Sequence, residues 1–175
     1  SKGMPPAERG TALHAYMQFA DYGAAAADPD AERARLVEGG WLTPEQGGAV
    51  DMRRVRAFFA GGLAQRILSA RRCWREYRFT VEIPASRVRP ELSGDPADQK
   101  IVLQGGVDCI FEEENGLVIV DYKTDRAASP AELWERYRAQ LSLYREAVQQ
   151  CFSQPVTQCL LYSFSLNQTI GGELS

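Results

Sequence analysis

Apolar residues recur at helical spacing through the first part of the chain and at alternate positions through much of the rest. Thr11 reads as the N-cap of a helix over residues 12–20, whose apolar positions share one face. A second helix is predicted over 28–38, closed by Gly39-Gly40. Thr43-Pro44-Glu45 opens a short third with proline at its first helical position. Asp51 caps a helix running through Phe59, Gly61-Gly62 breaks it, and residues 63–70 continue. Alternation then takes over at 74–83, 100–111 and 117–122. Between the first two lies a loop over 84–98 containing Pro84, Pro90, Gly94 and Pro96. Ser129-Pro130-Ala131-Glu132 is a capping-box pattern, opening a long helix through about Gln150 with an apolar stripe of Leu133, Tyr137, Leu141 and Tyr144. A last apolar strand covers 156–164. Helices, strand, hairpin, helix, strand: that order predicts an α/β (α+β) fold, a mixed sheet flanked by helices.

The hairpin concentrates the chemistry. Asn115-Gly116 between two strand patterns is a strong turn signal. A two-residue turn there sets Asp108 opposite Lys123; a four-residue loop sets Asp108 opposite Asp121. Side chains alternate with period two, so either register puts Asp108, Asp121 and Lys123 on one face. Val107, Cys109, Phe111, Val118, Val120 and Tyr122 then fall on the other, while Ile110 and Ile119 lie on the acidic side, so both faces are expected to be covered. Two carboxylates and an amine gathered at one place are costly to bury without a cation or a substrate among them. Mg²⁺ prefers carboxylate oxygens. Asp108, Asp121 and the Tyr122 carbonyl suit such an ion, and Lys123 suits the orientation of a water or the stabilisation of a charged phosphate. A cross-strand surface ion pair is the competing account.

Composition narrows the classes. A hydrophobic share of 45% and a charged share of 25% are ordinary for a globular protein, and 175 residues suffice for one domain with a substantial core. No apolar run approaches the roughly 20 residues of a membrane span, and no signal peptide is expected. The net charge of −3 does not by itself predict a nucleic-acid partner. Distribution qualifies that: Arg53, Arg54, Arg56, Arg66, Arg71, Arg72, Arg75 and Arg78 face only Asp51 and Glu76 between residues 51 and 78. Such a segment either tracks a phosphate backbone or forms a solvated helix face. Cys73, Cys109, Cys151 and Cys159 show no ligand spacing for zinc or an iron–sulfur cluster, and a reduced, cytoplasmic setting is expected. Cys109 and Cys159 sit in apolar strand patterns as small hydrophobes.

Three further features are ambiguous alone. His14, the one histidine, is expected in the first turn of its helix, where the dipole lowers its pKa and favours the neutral, ligand-competent imidazole. Glu76 starts a strand among arginines. Gln140 and Tyr144 stand at i and i+4 on the long helix, a pair suited to phosphate or base contacts or to packing.

Together, Gly10-Thr11-Ala12-Leu13-His14, the Glu76 strand, Gly105-Gly106-Val107-Asp108, Asp121-Tyr122-Lys123 and Gln140-Leu141-Ser142-Leu143-Tyr144 resemble the RecB-type nucleases of the PD-(D/E)XK, or restriction-endonuclease-like, superfamily. The motifs occur in the family's order and span nearly the whole chain, with wording closest to the C-terminal nuclease domains of AddA-type helicase–nucleases. The resemblance implies an αβββαβ core over 73–166 behind a helical part over 8–72, all one nuclease domain within 1–175, from the C-terminal end of a larger polypeptide. It implies Mg²⁺ (or Mn²⁺) held by His14, Asp108, Asp121 and the Tyr122 carbonyl, with Lys123 as the catalytic lysine. Glu76 becomes a supporting acid, and Gln140 and Tyr144 become DNA contacts; Arg71 and Arg72 are expected to add DNA contacts on the strength of the basic segment's charge alone. The implied activity is an exonuclease that cuts the unwound strand during double-strand-break resection, with an AddB-type partner. The ATP site belongs to helicase domains outside these residues, since no GxxxxGK[ST] is present. The four-cysteine cluster pattern of AddB-type and Cas4-type relatives is absent, so no iron–sulfur cluster is expected. A catalytically silent DNA-guiding domain and a stand-alone phage or CRISPR-type nuclease are the alternatives.

Overall fold

The computed structural model describes residues 5–94 and 99–174, so part of the predicted 84–98 loop, including Pro96, lies outside the described residues. Among these described residues six helices come first: α1 (Pro6–Phe19), α2 (Tyr22–Ala27), α3 (Pro29–Glu38), α4 (Pro44–Ala49), α5 (Met52–Ala60) and α6 (Gly62–Ser69). Side-chain caps start most of them. Asp21, Asp28 and Asp51 each accept the backbone N–H three residues on, and Thr43 and Gln46 close a full capping box. The expected start of α1 was wrong. The helix begins at Pro6, whose missing N–H costs nothing there, and Thr11 lies inside it with its hydroxyl donating to the Ala7 carbonyl. The alanine run of α2 carries no apolar periodicity, so pattern reading passed over it.

Among the described residues five strands make one sheet in the order β1 (Arg72–Pro84), β2 (Lys100–Glu113), β3 (Gly116–Lys123), β4 (Val156–Ser163) and β5 (Gln168–Gly171). All neighbours are antiparallel except β3 and β4, which run parallel because α7 (Pro130–Phe152) crosses between them. The turn at the β2–β3 tip falls one residue before the expected Asn115-Gly116. Glu113 pairs with Gly116 and Glu112 with Leu117, leaving Glu114 and Asn115 as the loop. Gly116 serves another need. At φ +144° a β-carbon there would sit 2.5 Å from the Pro155 carbonyl oxygen, so the chain passes β4's entry too closely for any side chain. The register is the one that sets Asp108 level with Asp121.

Both faces are covered, as expected. Cys109, Phe111, Val118, Val120 and Tyr122 pack under the N-terminal helices with Leu13, Tyr16, Val55 and Phe58. Ile110, Leu117, Ile119 and Leu161 pack under α7 with Leu133, Leu141, Ala147 and Val148. Val107 departs from the prediction, lying on the α7 side with Phe79 and Ile110. Strict alternation fails because β1 and β2 switch faces at one level. Trp74 and Tyr77 both border the α7 core although three residues apart, and Glu76 between them has φ +48°. Glu76 and Asp108 occupy that level, and the β2–β3 pairing stops just short of it, at Cys109 and Val120. The acidic residues thus sit where the sheet is locally prised open.

Candidate active site

Where β2 and β3 part, Asp108 enters the gap and its Oδ2 accepts the Tyr122 backbone N–H at 2.7 Å. Asp121 and Lys123 share the α7 face of β3, with Lys123 Nζ 3.0 Å from Asp121 Oδ2. Despite that proximity Asp121 Oδ2 is buried and accepts no hydrogen bond of good geometry. The ammonium supplies charge there, not an aligned donor. Burial and the adjoining Asp108 push the Asp121 carboxyl up to about 7, against the pull of Lys123. Asp108 moves the other way. Burial opposes its charge, but the neighbouring His14 and Asp121 and the Tyr122 N–H hold its carboxyl below the ordinary range. Two adjacent carboxyls driven apart in this way favour a single negative charge until a cation joins them.

His14 reaches the pair from the other side of the sheet, with Nδ1 3.7 Å from Asp108 Oδ1. Its placement corrects the expectation of a first-turn residue with a lowered pKa. His14 lies more than two turns into α1, beyond reach of the helix N-terminus. Burial works against its imidazolium, but the close approach of Asp108 and the charges of Asp108 and Asp121 outweigh it, and the pKa rises. Gly10, one turn before His14, makes the approach possible. A β-carbon there would come within 2.8 Å of Thr124 Oγ1, so α1 lies directly on the residue after Lys123.

Helix α7 closes the opposite side. Lys123 Nζ lies 3.5 Å from Gln140 Oε1 and 3.8 Å from the centre of the Tyr137 ring. Tyr144 approaches β2 over Gly105, where a β-carbon would stand 3.3 Å from its ring. Burial and the negative field of Asp121, Asp108 and Glu76 push its hydroxyl up to about 12, so it stays a proton donor at neutral pH. Glu76 pairs with Arg78 at 3.2 Å and lies beside Gly106. His14, Glu76, Asp108, Asp121, Lys123, Gln140 and Tyr144 are therefore brought into one neighbourhood.

Arg71 and Arg72 are not. They sit where β1 pairs with Glu112, toward the hairpin tip and away from Lys123. Arg72 bonds Glu112 at 3.1 Å and lies over the Trp74 ring. Much of the arginine-rich segment is likewise paired: Arg54 with Asp51, Arg56 with Asp30, Arg66 with Glu113, while Arg75 donates to the Ala20 carbonyl. Sequence reading missed Asp125, Arg136 and Tyr137 as neighbours of Lys123, having placed Tyr137 in an apolar stripe. Its position three residues before Gln140, on the same helix face, was the available signal.

Among the described residues no three His, Cys, Asp or Glu side chains are grouped as a ready-made metal cage. Asp108 Oδ2 is committed to the Tyr122 N–H and Oδ1 faces His14, so the three expected ligands meet in pairs.

The described strands form one mixed sheet that brings Asp108, Asp121 and Lys123 together. The sequence model of the PD-(D/E)XK nuclease superfamily matches residues 1–171, and the chain belongs to that superfamily. It is 37% identical over 172 residues to the A subunit of the ATP-dependent helicase/nuclease of Clostridium botulinum (strain Langeland). It is 39% identical over 171 residues to the protein of that name in Anoxybacillus flavithermus, and 38% over 174 in Geobacillus thermodenitrificans. The matches cover 97%, 94% and 93% of this chain but 13%, 13% and 14% of those relatives, so the chain spans about one seventh of their length.

Proposed function

We propose that this chain is the Mg²⁺-dependent DNA exonuclease domain of an AddA-type helicase–nuclease that resects double-strand breaks for recombinational repair. The observation that carries the reading is the buried Asp121 carboxyl, raised to about 7 beside Asp108, with an oxygen that accepts no hydrogen bond next to Lys123. This arrangement is unfavourable as it stands and is relieved by a hard cation. His14, Asp108, Asp121 and the Tyr122 carbonyl would hold Mg²⁺, or Mn²⁺ in its place. When bound, such an ion supplies Lewis-acid stabilisation for charge that builds on a phosphate.

The other roles belong to the chain's own groups. Lys123 presents an ammonium at the reacting phosphate and orients the attacking water. Gln140 and the Tyr144 hydroxyl, both on the site side of α7, bond the DNA strand, and Glu76 supports the acidic cluster. The substrate is a single strand from an unwound duplex end. Helicase domains of the same polypeptide supply the ATP-driven unwinding, and an AddB-type partner completes the complex in the bacterial cytoplasm. No helix among the described residues is long and apolar enough to cross a membrane.

Nuclease activity on single-stranded DNA with Mg²⁺ tests the reading. Asp121→Ala is expected to abolish it and Lys123→Ala to leave only a small residual rate, both with thermal stability retained. Unaltered cleavage by both variants overturns the assignment.

A further inference from the structure

Lys123 stands among groups of very different kinds. Asp121 Oδ2 lies 3.0 Å away and Gln140 Oε1 3.5 Å, while the Tyr137 ring underlies the ammonium at 3.8 Å from its centroid. The ring is itself locked. Its hydroxyl donates to Asp125 Oδ2 at 2.8 Å, and Arg136 Nη1 donates to the same oxygen at 2.8 Å. The Asp125 carbonyl in turn accepts from Ser165 Oγ, which ties the end of β3 to the segment after β4. Tyr137, Asp125 and Arg136 thus form a brace between α7 and the residues just beyond Lys123.

An aromatic face has a particular value here. A cation gains electrostatically from a ring's quadrupole without acquiring a net counter-charge. A carboxylate in the same place would hold Lys123 more tightly, but it would repel the phosphodiester and draw the ammonium into a closed ion pair. An aliphatic side chain would leave the Asp121 carboxyl, already 3.0 Å away, as the dominant attraction on the ammonium. The ring holds the ammonium beside Asp121 and Gln140 without adding a further counter-charge that would compete with a bound anion.

We propose that Tyr137 is a positioning residue for Lys123, its ring serving as a cation–π platform and the Asp125–Arg136 pair fixing that ring. The inference rests on the reading of Lys123 as the catalytic lysine.

The test compares Tyr137→Leu, Tyr137→Phe, Lys123→Ala and the Tyr137→Leu/Lys123→Ala double variant. Each is made in the full natural polypeptide and assayed on single-stranded DNA with Mg²⁺ and without ATP. Tyr137→Leu is expected to lower kcat about ten- to a hundredfold, as a misplaced catalytic group does, with KM and calorimetric Mg²⁺ affinity unchanged. Tyr137→Phe keeps the ring and recovers most of the rate. On the Lys123→Ala background the leucine substitution costs nothing further, because the group it positions is gone. Should Tyr137→Leu lose its thermal transition, Tyr137→Met replaces it with the same expectations. Wild-type kcat in the leucine variant, or an equal proportional loss on the alanine background, overturns the inference while leaving Lys123 in its role. Full activity of Lys123→Ala removes the underlying reading instead, and the inference falls with it.

Discussion

The Asp108 carboxylate accepts the backbone N–H of Tyr122 at 2.7 Å, bridging two strands at the level where their own ladder has stopped. One side chain thus replaces a missing rung and seats an acid beside Asp121. The two duties separate on substitution. Asp108→Ala leaves a buried N–H without an acceptor, which costs about 1–3 kcal/mol. Asp108→Asn keeps a carbonyl acceptor and is expected to lose less than half of that in urea unfolding. Both variants should show no calorimetric Mg²⁺ binding. Equal destabilisation by Ala and Asn would show that the rung is not what Asp108 contributes to the fold.

The metal-free protein should become less stable as pH rises toward neutrality. Asp121 titrates at about 7 when folded against an ordinary 3.8, so between these values the folded state keeps a proton that the unfolded chain has lost. Stability therefore falls over that window, by on the order of 4 kcal/mol if this group acted alone. His14 acts in the same direction: its raised pKa gives stability that is full below 6.5 and lost as pH climbs through the folded value. Asp108, held low, adds stability above its unfolded pKa and loses it only in acid. Chemical unfolding in a chelating buffer should thus weaken from about pH 5 to pH 8. Asp121→Asn should flatten that slope, and Mg²⁺ should reverse it. A rising slope in chelator would contradict the assignment of a strained carboxyl pair.

Two glycines should separate folding from site geometry. Gly116→Ala forces a β-carbon at φ +144° to 2.5 Å from a backbone oxygen that cannot rotate away, and is expected to cost well over about 1 kcal/mol. Gly10→Ala meets only the Thr124 hydroxyl at 2.8 Å, and in a helix alanine regains up to about 1 kcal/mol. Its thermal midpoint should barely move. The added methyl nevertheless lifts α1 from Thr124 and carries His14 off Asp108, so Mg²⁺ affinity should drop. Unchanged affinity in Gly10→Ala would mean that α1 does not set the imidazole's position.

How much of this was legible before folding depends on range. The strand pattern around Asp108 and Asp121 is local, so the hairpin and the gathering of Asp108, Asp121 and Lys123 were readable. Which register they adopt was not, because Gly116 answers to the Pro155 carbonyl, a contact made only when β4 docks. Val107 escaped for a similar reason: the face switch at Glu76 and Asp108 involves two strands at once, and a period-two count along one strand has no access to it. His14 was identified but misplaced along its helix, since Thr11 resembles a cap while Pro6 starts the turn. Tyr137 looked like core because its role comes from the ammonium above it, and composition cannot show which face of an aromatic meets a charge.

The Tyr122 side chain points away from the site, and its energetics should be directional. Buried Tyr22 donates its hydroxyl hydrogen to the Met17 carbonyl at 2.9 Å, so in the 2.8 Å contact between the two hydroxyls Tyr122 must be the donor and Tyr22 the acceptor. Both phenols are kept protonated by burial. Tyr122→Phe removes a donor from a hydroxyl that still has its own acceptor, a loss of about 1 kcal/mol. Tyr22→Phe strands the Tyr122 hydroxyl and the Met17 carbonyl together, and should cost about 1–3 kcal/mol. Once Tyr22 is phenylalanine, removing the stranded hydroxyl as well should recover stability, so the double variant is expected to be firmer than Tyr22→Phe alone. Guanidinium unfolding of the three variants measures the cycle. Additive losses would show that the hydroxyls do not act as a chain, and that the aromatic packing of Phe58 around them carries the stability instead.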